Sequence, residues 1–123
     1  DYQDVYSYRG ITLDMQEQGT FRQVMNETLA VVLMTNLLKN AFVHNKDKGR
    51  ILIEITSSGI RFGNTGDGAA LDGKRIFERF YQGNKKKEGS TGLGLAIVDA
   101  ICRQCGLQIR YRFADPMHWF EIS

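Results

Sequence analysis

The sequence predicts a two-layer α/β sandwich, a mixed and mostly antiparallel sheet of about five strands with about three helices on one face. Two patterns lead there. A single long run, "ETLAVVLMTNLLKNAFVHN", places apolar residues at helical period, whereas several short runs alternate apolar and polar residues as half-buried strands do. Helical and extended segments also mix without the strict βαβ alternation of a doubly wound parallel sheet.

Taken in order, residues 2–9 and 11–15 are short, partly alternating segments split by Gly10, and read as strands or strand edges. Gln16 to Thr20 reads as a turn. Asn26 is a good N-cap for the long run, in which Leu29, Leu33, Leu37 and Ala41 recur at i, i+4 and i+8. "RILIEIT" and "GIRFGN", separated by Ser57-Ser58-Gly59, form a hairpin. The turn-rich "TGDGAALDG" leads to a short helix, "KRIFERFYQ", capped near Asp72. Residues 82–91 hold no apolar side chain, the composition of a mobile surface loop. A last helix over Leu93 to Gln104 turns Leu95, Ile97, Val98 and Ile101 inward, and "LQIRYRF" and "MHWFEI" close the chain around Ala114-Asp115-Pro116.

With 123 residues, 42% of them hydrophobic, the chain suffices for one domain with one core, and no internal repeat or domain boundary is visible. A net charge of +2 gives no case for nucleic acid, the basic residues being scattered apart from Lys85-Lys86-Lys87. The longest mostly apolar run, Leu29 to Leu38, is far below the ~20 residues that span a bilayer. No signal peptide opens the chain, and a start without Met reads as a piece of something longer. Cys102 and Cys105 form C-x-x-C, but at the end of a helix, where the dipole disfavours a thiolate; they read as structural thiols in a reducing compartment.

Chemistry concentrates at three places. Asn36, Asn40 and His44 are spaced by four and stack along one edge of the apolar stripe. A single such Asn is best explained as a cap on a neighbouring turn. Three in a column can line a groove, offering carbonyl oxygens to a hard cation and donors to anionic oxygens. Phe62 to Gly68 ends a strand in a loop of glycines around Asn64, which alone is a plain glycine turn. Gly83, Gly89, Gly92 and Gly94 crowd ahead of the last helix, where each helical glycine costs about 1 kcal/mol relative to alanine, and close backbone approach to a bound group offsets that cost. Two familiar phosphate loops fail on spacing: no Lys follows these glycines in Walker register, and the order G-x-x-G-x-G reverses the dinucleotide fingerprint.

In this order, "NLLKNAFVHN", "NTGDG", "IFERFYQG" and "GSTGLGLAIV" resemble the N box, first glycine box, F box and second glycine box of the sensor histidine kinase catalytic and ATP-binding domain. That domain has the Bergerat fold of the gyrase, heat-shock chaperone, histidine kinase and mismatch-repair ATPases. The four motifs span about residues 26–100 and occur with the family's spacing. The resemblance implies ATP and Mg²⁺ as ligands. Asn40 would coordinate Mg²⁺ with Asn36 in support, making these the catalytic pair, and His44 would lie near the phosphates or ribose. Asn64 would accept a hydrogen bond from the adenine amine, and Gly66 and Gly68 would shape the purine pocket. Phe77 and Phe80, with Tyr81 beside them, would anchor an ATP lid over residues 67–91. Lys85 and its neighbours would meet phosphate, and Thr91, Gly92, Leu93, Gly94 and Leu95 would present the helix N-terminus to phosphate oxygens.

The chain departs from the family in four places. Asn64 stands for the usual Asp, Val43 for a common Lys or Arg, and Glu121 for a small hydroxylated residue. Asn36 stands where ATP-hydrolysing relatives carry Glu, and a carboxamide lacks the basic lone pair that activates water. Phosphoryl transfer to an imidazole needs no water and rests on positioning and charge neutralisation, so kinase is favoured over ATPase. The expected function is transfer of the ATP γ-phosphate to a histidine on a separate dimerisation domain of the same protein, and from there to a response regulator. The expected setting is a cytoplasmic domain of a homodimeric, membrane-anchored inner-membrane sensor, with no nucleic-acid partner. The alternatives are an anti-sigma-factor type of serine kinase and a nucleotide-sensing module without transfer; "IFERFYQ" is typical of the histidine kinases.

Overall fold

A computed structural model of the chain describes residues 9–66, 70–73, 75–78, 93–114 and 116–123. Its elements are β1 (Thr12–Glu17), α1 (Glu27–Val43), β2 (Arg50–Thr56), β3 (Gly59–Thr65), α2 (Gly94–Gln104), β4 (Ile109–Ala114) and β5 (Met117–Ile122). The five strands form one sheet in the order β1-β2-β3-β5-β4. Only β1 and β2 pair in parallel. Their connection runs through α1, as a parallel pair requires. The predicted class holds, with two helices among the described residues in place of about three.

Strand periodicity sorts side chains between the two faces of the sheet. Met15, Ile53, Phe62, Phe120 and Tyr111 are successive cross-strand partners on one row, and Ile55, Ile60, Ile122 and Ile109 on the next. Against these rows pack Leu33, Leu37 and Ala41 of α1 and Val98, Ile101 and Cys102 of α2. A third row, Leu13, Ile51, Asn64, His118 and Phe113, changes from apolar to polar at its centre.

The end of α1 is fixed by polar groups. The Asn45 side chain is fully buried. Its Nδ2 donates to the Ala41 and Arg50 carbonyls (3.1 and 3.0 Å), and its Oδ1 accepts from the Thr65 hydroxyl (2.5 Å) and the Lys46 N–H (2.9 Å). The Arg9 guanidinium donates to the Phe42 and Asn45 carbonyls (2.8 and 2.5 Å) at the end of α1, where the Phe42 carbonyl also accepts from Asn45 N–H at 3.3 Å. At the other end Asn26 is the N-cap, accepting from Thr28 and Leu29 N–H at 2.8 and 3.3 Å.

Several expectations need correction. Gln16 and Glu17 continue β1, paired with Glu54 and Ile55, so the turn begins only afterwards. Ile97 is 38% exposed. It lies about 100° round the helix from Val98, off the i, i+3, i+4 stripe that Val98, Ile101 and Cys102 form. The described part of "KRIFERFYQ" is a single turn, with the Asp72 carbonyl accepting from Arg75 and Ile76 N–H at 3.0 and 2.9 Å. Side-chain burial of Ile76 and Phe77 holds this turn, rather than helix propagation. Of the strand expected over residues 2–9 only Arg9 is described, and it is not in a strand; the rest of that segment and the loop expected over 82–91 lie outside the described residues.

The C-x-x-C thiols are free. Burial first, then the Asp99 charge and Cys105, push the Cys102 thiol up to about 11. It is a core thiol, as its position at the helix end implies.

A Cβ on Gly49 would overlap Asn45 Oδ1 and Thr65 Oγ1. Gly49→Ala therefore disrupts the buried network, and urea unfolding should show a loss of about 2–3 kcal/mol. At Gly106, where nothing lies within 4 Å, the same change meets no such overlap, and its cost is confined to the left-handed backbone at φ +72°.

Candidate functional site

Asn36, Asn40 and His44 share one edge of α1, each half-buried. Asn36 donates from Nδ2 to the Val32 carbonyl one turn earlier, at 2.8 Å. Its Oδ1 then faces α2, where a Cβ on Gly94 would lie 3.3 Å from it. This contact joins the N-box helix to the start of the second glycine box. It gives Gly94 a reason of its own: the missing side chain lets α2 approach Asn36. The Asn40 carboxamide makes no hydrogen bond to the described residues and is left available to a ligand. His44 is the C-cap of α1, its N–H bonded to the Asn40 carbonyl at 3.1 Å.

Helix α2 starts at Gly94, and its N-cap residue Leu93 makes no side-chain cap bond. The first-turn N–H groups of a helix have no partner inside it and carry the positive end of the dipole, which gives the start of α2 from Gly94 onward the polarity to face an anion. Leu95 packs against the core.

Asn64 supplies the other wall. It is 2% exposed. Its Nδ2 donates to the Thr65 carbonyl at 2.8 Å, while Oδ1 is buried without a hydrogen-bond partner. A buried acceptor left unpaired costs about 1–3 kcal/mol, and a donor from a bound molecule removes that cost. Next to it, Gly66 lies under His118, whose Nε2 would be 3.0 Å from a Cβ at Gly66, and near the His44 carbonyl, at 3.4 Å. Gly66 thus joins both walls.

His118, Tyr111 and Leu71 were not singled out as site residues by the sequence motifs. The Tyr111 hydroxyl accepts from Leu71 N–H at 2.9 Å and lies 2.7 Å from His118 Nδ1. Burial raises the Tyr111 hydroxyl, partly offset by the Leu71 N–H, and burial lowers His118 below its usual 6.5. Only the pairing of β3 with β5 puts His118 beside Asn64; the packed setting of "MHWF" was its one signal.

Phe77 packs edge-on to Phe120 at 6.5 Å and Ile76 is buried, so the F box is held to the sheet by both. Gly68, Phe80, Tyr81, Lys85, Thr91 and Gly92 lie outside the described residues. Val43 is buried, which accounts for an apolar side chain there. Glu121 pairs with Arg112 and Arg61 on the sheet face away from the helices and stays clear of the site.

A family model described as histidine kinase-, DNA gyrase B- and HSP90-like ATPase matches residues 25–118. The chain belongs to that family. The relatives are sensor histidine kinases. RppB of Synechocystis is 42% identical over 84 residues, 62% of this chain and 18% of its own length. VanS of Enterococcus faecium is 38% identical over 98 residues, 74% of this chain and 26% of its own. The chain thus spans about a quarter or less of the curated relatives it matches. Among solved structures, the catalytic domain of the histidine kinase ThkA superposes with a TM-score of 0.79 at 20% identity, covering 98% of this chain and 82% of that one. Full-length ShkA in complex with AMPPNP superposes at 0.70 with 26% identity, over 97% of this chain and 27% of that one. This is the family's ATP-binding fold, and no helix among the described residues is long and apolar enough to cross a membrane.

His118 titrates with a definite sign. Its folded pKa is depressed, so above 6.5 the ring is neutral in both states and costs nothing. As pH falls below 6.5 the unfolded chain takes up the proton first, and stability drops until the folded pKa is reached. Urea unfolding at pH 5.5 and 7.5 should show this loss, and His118→Gln should reduce it.

Proposed function

We propose that this chain is the ATP-binding catalytic domain of a sensor histidine kinase, delivering the γ-phosphate of Mg-ATP to a histidine on a separate dimerisation domain. The observation that carries the reading is the buried, unpartnered Oδ1 of Asn64, an acceptor fitted to an exocyclic amine. Gly66, two residues on, lies near the His44 carbonyl at the end of α1, the helix that carries Asn40 and meets Gly94 of α2 at Asn36.

The donor set fits a magnesium nucleotide. The Asn40 carboxamide oxygen is a hard ligand, and among the described residues no three His, Cys, Asp or Glu side chains converge to hold a metal by themselves. A divalent cation held at Asn40 would therefore take its remaining ligands from phosphate oxygens and water, and would neutralise phosphate charge during transfer. Asn64 holds the base, Asn40 the triphosphate end, and the first-turn N–H groups of α2 the phosphate oxygens. Asn36 has one end bonded to Val32 and the other against Gly94. It braces α1 against α2 and offers no base to activate water, which suits transfer rather than hydrolysis.

The acceptor has to come from elsewhere. His44 caps α1 and His118 is buried behind Tyr111 and Phe113, so neither is placed to receive a phosphoryl group. On this reading the whole protein carries the acceptor helix, acts as a homodimeric, membrane-anchored sensor with this domain in the cytoplasm, and passes its phosphoryl group to a response regulator.

Thermal shift tests the nucleotide. Mg-ATP at a hundred times its dissociation constant should stabilise the domain by about 2.7 kcal/mol, with GTP or omission of Mg²⁺ giving less. Asn40→Ala should fold normally, since its side chain bonds to no described residue, yet calorimetry should show Mg-dependent ATP binding abolished. Unchanged affinity in a folded Asn40→Ala protein would refute the assignment. Incubated alone with γ-labelled ATP and Mg²⁺, the chain should acquire no acid-labile phosphate; stoichiometric phosphohistidine at position 44 or 118 would refute the need for a separate acceptor.

A further inference from the structure

Asn64 and His118 are direct cross-strand partners between β3 and β5. Both side chains face the helices, because Phe62 and Phe120, two residues along each strand, lie in the core. Opposed residues on one face of an antiparallel pair have Cβ atoms about 4.5–5.5 Å apart, close enough for one planar ligand to meet both.

Each of the two groups has one hydrogen-bonding sense favoured by its neighbours. The Asn64 amide cannot turn over without losing its bond to the Thr65 carbonyl, which accepts only, so Oδ1 stays the unpaired end of the group. At His118 the constraint comes from Tyr111. The Tyr111 oxygen already accepts from Leu71 N–H, and its single proton is satisfied when it is donated to Nδ1. The neutral ring then carries its own proton on Nε2, on the side towards Gly66. A fixed acceptor and a fixed donor therefore stand side by side at the base of the site.

We propose that His118 is a base-specificity residue that reads adenine together with Asn64. Oδ1 of Asn64 accepts from the exocyclic amine, and Nε2–H of His118 donates to a ring nitrogen flanking that amine. The proposal rests on the nucleotide reading above. Adenine presents a donor beside an acceptor, the complement of this pair. Guanine places its 6-oxo acceptor where adenine has the amine, so two lone pairs would face each other. An asparagine free to turn over would tolerate either purine; the Thr65 carbonyl removes that freedom, and Tyr111 does the same for the imidazole. Discrimination against guanine thus comes from unpaired groups in the wrong complex as much as from bonds in the right one.

Nitrogen-15 NMR of the imidazoles and calorimetry test it together. With two histidines in the chain, the His118 signals are assigned by comparison with His118→Gln. At pH 7.5 the nucleotide-free protein should show the Nε2–H tautomer at His118, and Mg-ADP should shift its Nε2–H resonance. His118→Phe should weaken ATP binding about threefold to tenfold, as loss of one neutral hydrogen bond does, while GTP binding changes little. His118→Gln, with an amide N–H, should recover much of the preference. An Nδ1–H tautomer, an Nε2–H signal unmoved by bound nucleotide, or an unaltered ATP-to-GTP ratio in His118→Phe would each overturn the proposal while leaving nucleotide binding intact. Should His118→Phe not fold, the tautomer and the shift in the unaltered protein decide. If the unaltered protein binds no nucleotide, the functional reading itself falls.

Discussion

The Asn45 carboxamide holds the end of α1 to β2 and β3 through four hydrogen bonds, two given and two received. That saturates the group, and a buried polar cluster with every member paired fixes geometry more tightly than apolar packing does. The site depends on it. Asn40 and His44 occupy the last turn of the helix that Asn45 follows, and Asn64 precedes the Thr65 that Asn45 grips. One side chain therefore sets the spacing between the end of α1, where Asn40 and His44 stand, and Asn64 on β3. Arg9 reinforces the joint from outside, bridging two carbonyls and Asp47.

The two faces of the sheet divide the work. On the helix side, apolar rows end in Asn64 and His118, so the change from core to site happens within a single row of residues. On the opposite side Arg61 lies over the Trp119 ring at 4.5 Å and pairs with Glu54 at 2.6 Å. Gly63 makes that stack possible, since a Cβ there would sit 2.6 Å from the indole. Buried Arg61 Nε has no hydrogen-bond partner, and the cation over the aromatic face offsets part of that loss. Exposed pairs such as Arg103 with Asp99 contribute little by comparison. The outer face closes on itself with charge, and the inner face keeps its polar groups open at one end.

Replacement of the family's aspartate by Asn64 acquires a consequence in this setting. Asp accepts on both oxygens, whereas Asn must have one end turned away. The Thr65 carbonyl takes the donating end, and the acceptor is preserved at the position where it matters. In the same way Asn36 spends its donating end on the Val32 carbonyl and turns Oδ1 towards the start of α2, bracing the two helices.

Periodicity and caps were legible in the sequence because they are local. The Asn26 cap, the Leu33-Leu37-Ala41 stripe and the alternation in "RILIEIT" depend on residues within a turn or a strand of one another. The Asn36-Asn40-His44 column is visible for the same reason, and the four motifs in order sufficed to name the family and the fold. Ile97 was misplaced because a short amphipathic helix tolerates a rotation of one residue in its inward face until its neighbours choose. The turn expected at Gln16 became strand because β2 offered partners to Gln16 and Glu17. The particular side-chain contacts across the sheet and between helices were beyond the sequence. The register that sets His118 against Asn64, the Tyr111 hydroxyl that fixes its proton, and the approach of Gly94 to Asn36 join residues 54, 7 and 58 positions apart in the chain. The sequence alone determined which residues have the chemistry for a nucleotide; tertiary structure decided which of their atoms are spent on the protein and which remain for the ligand, because hydrogen-bond partners are allotted by space and not by order along the chain.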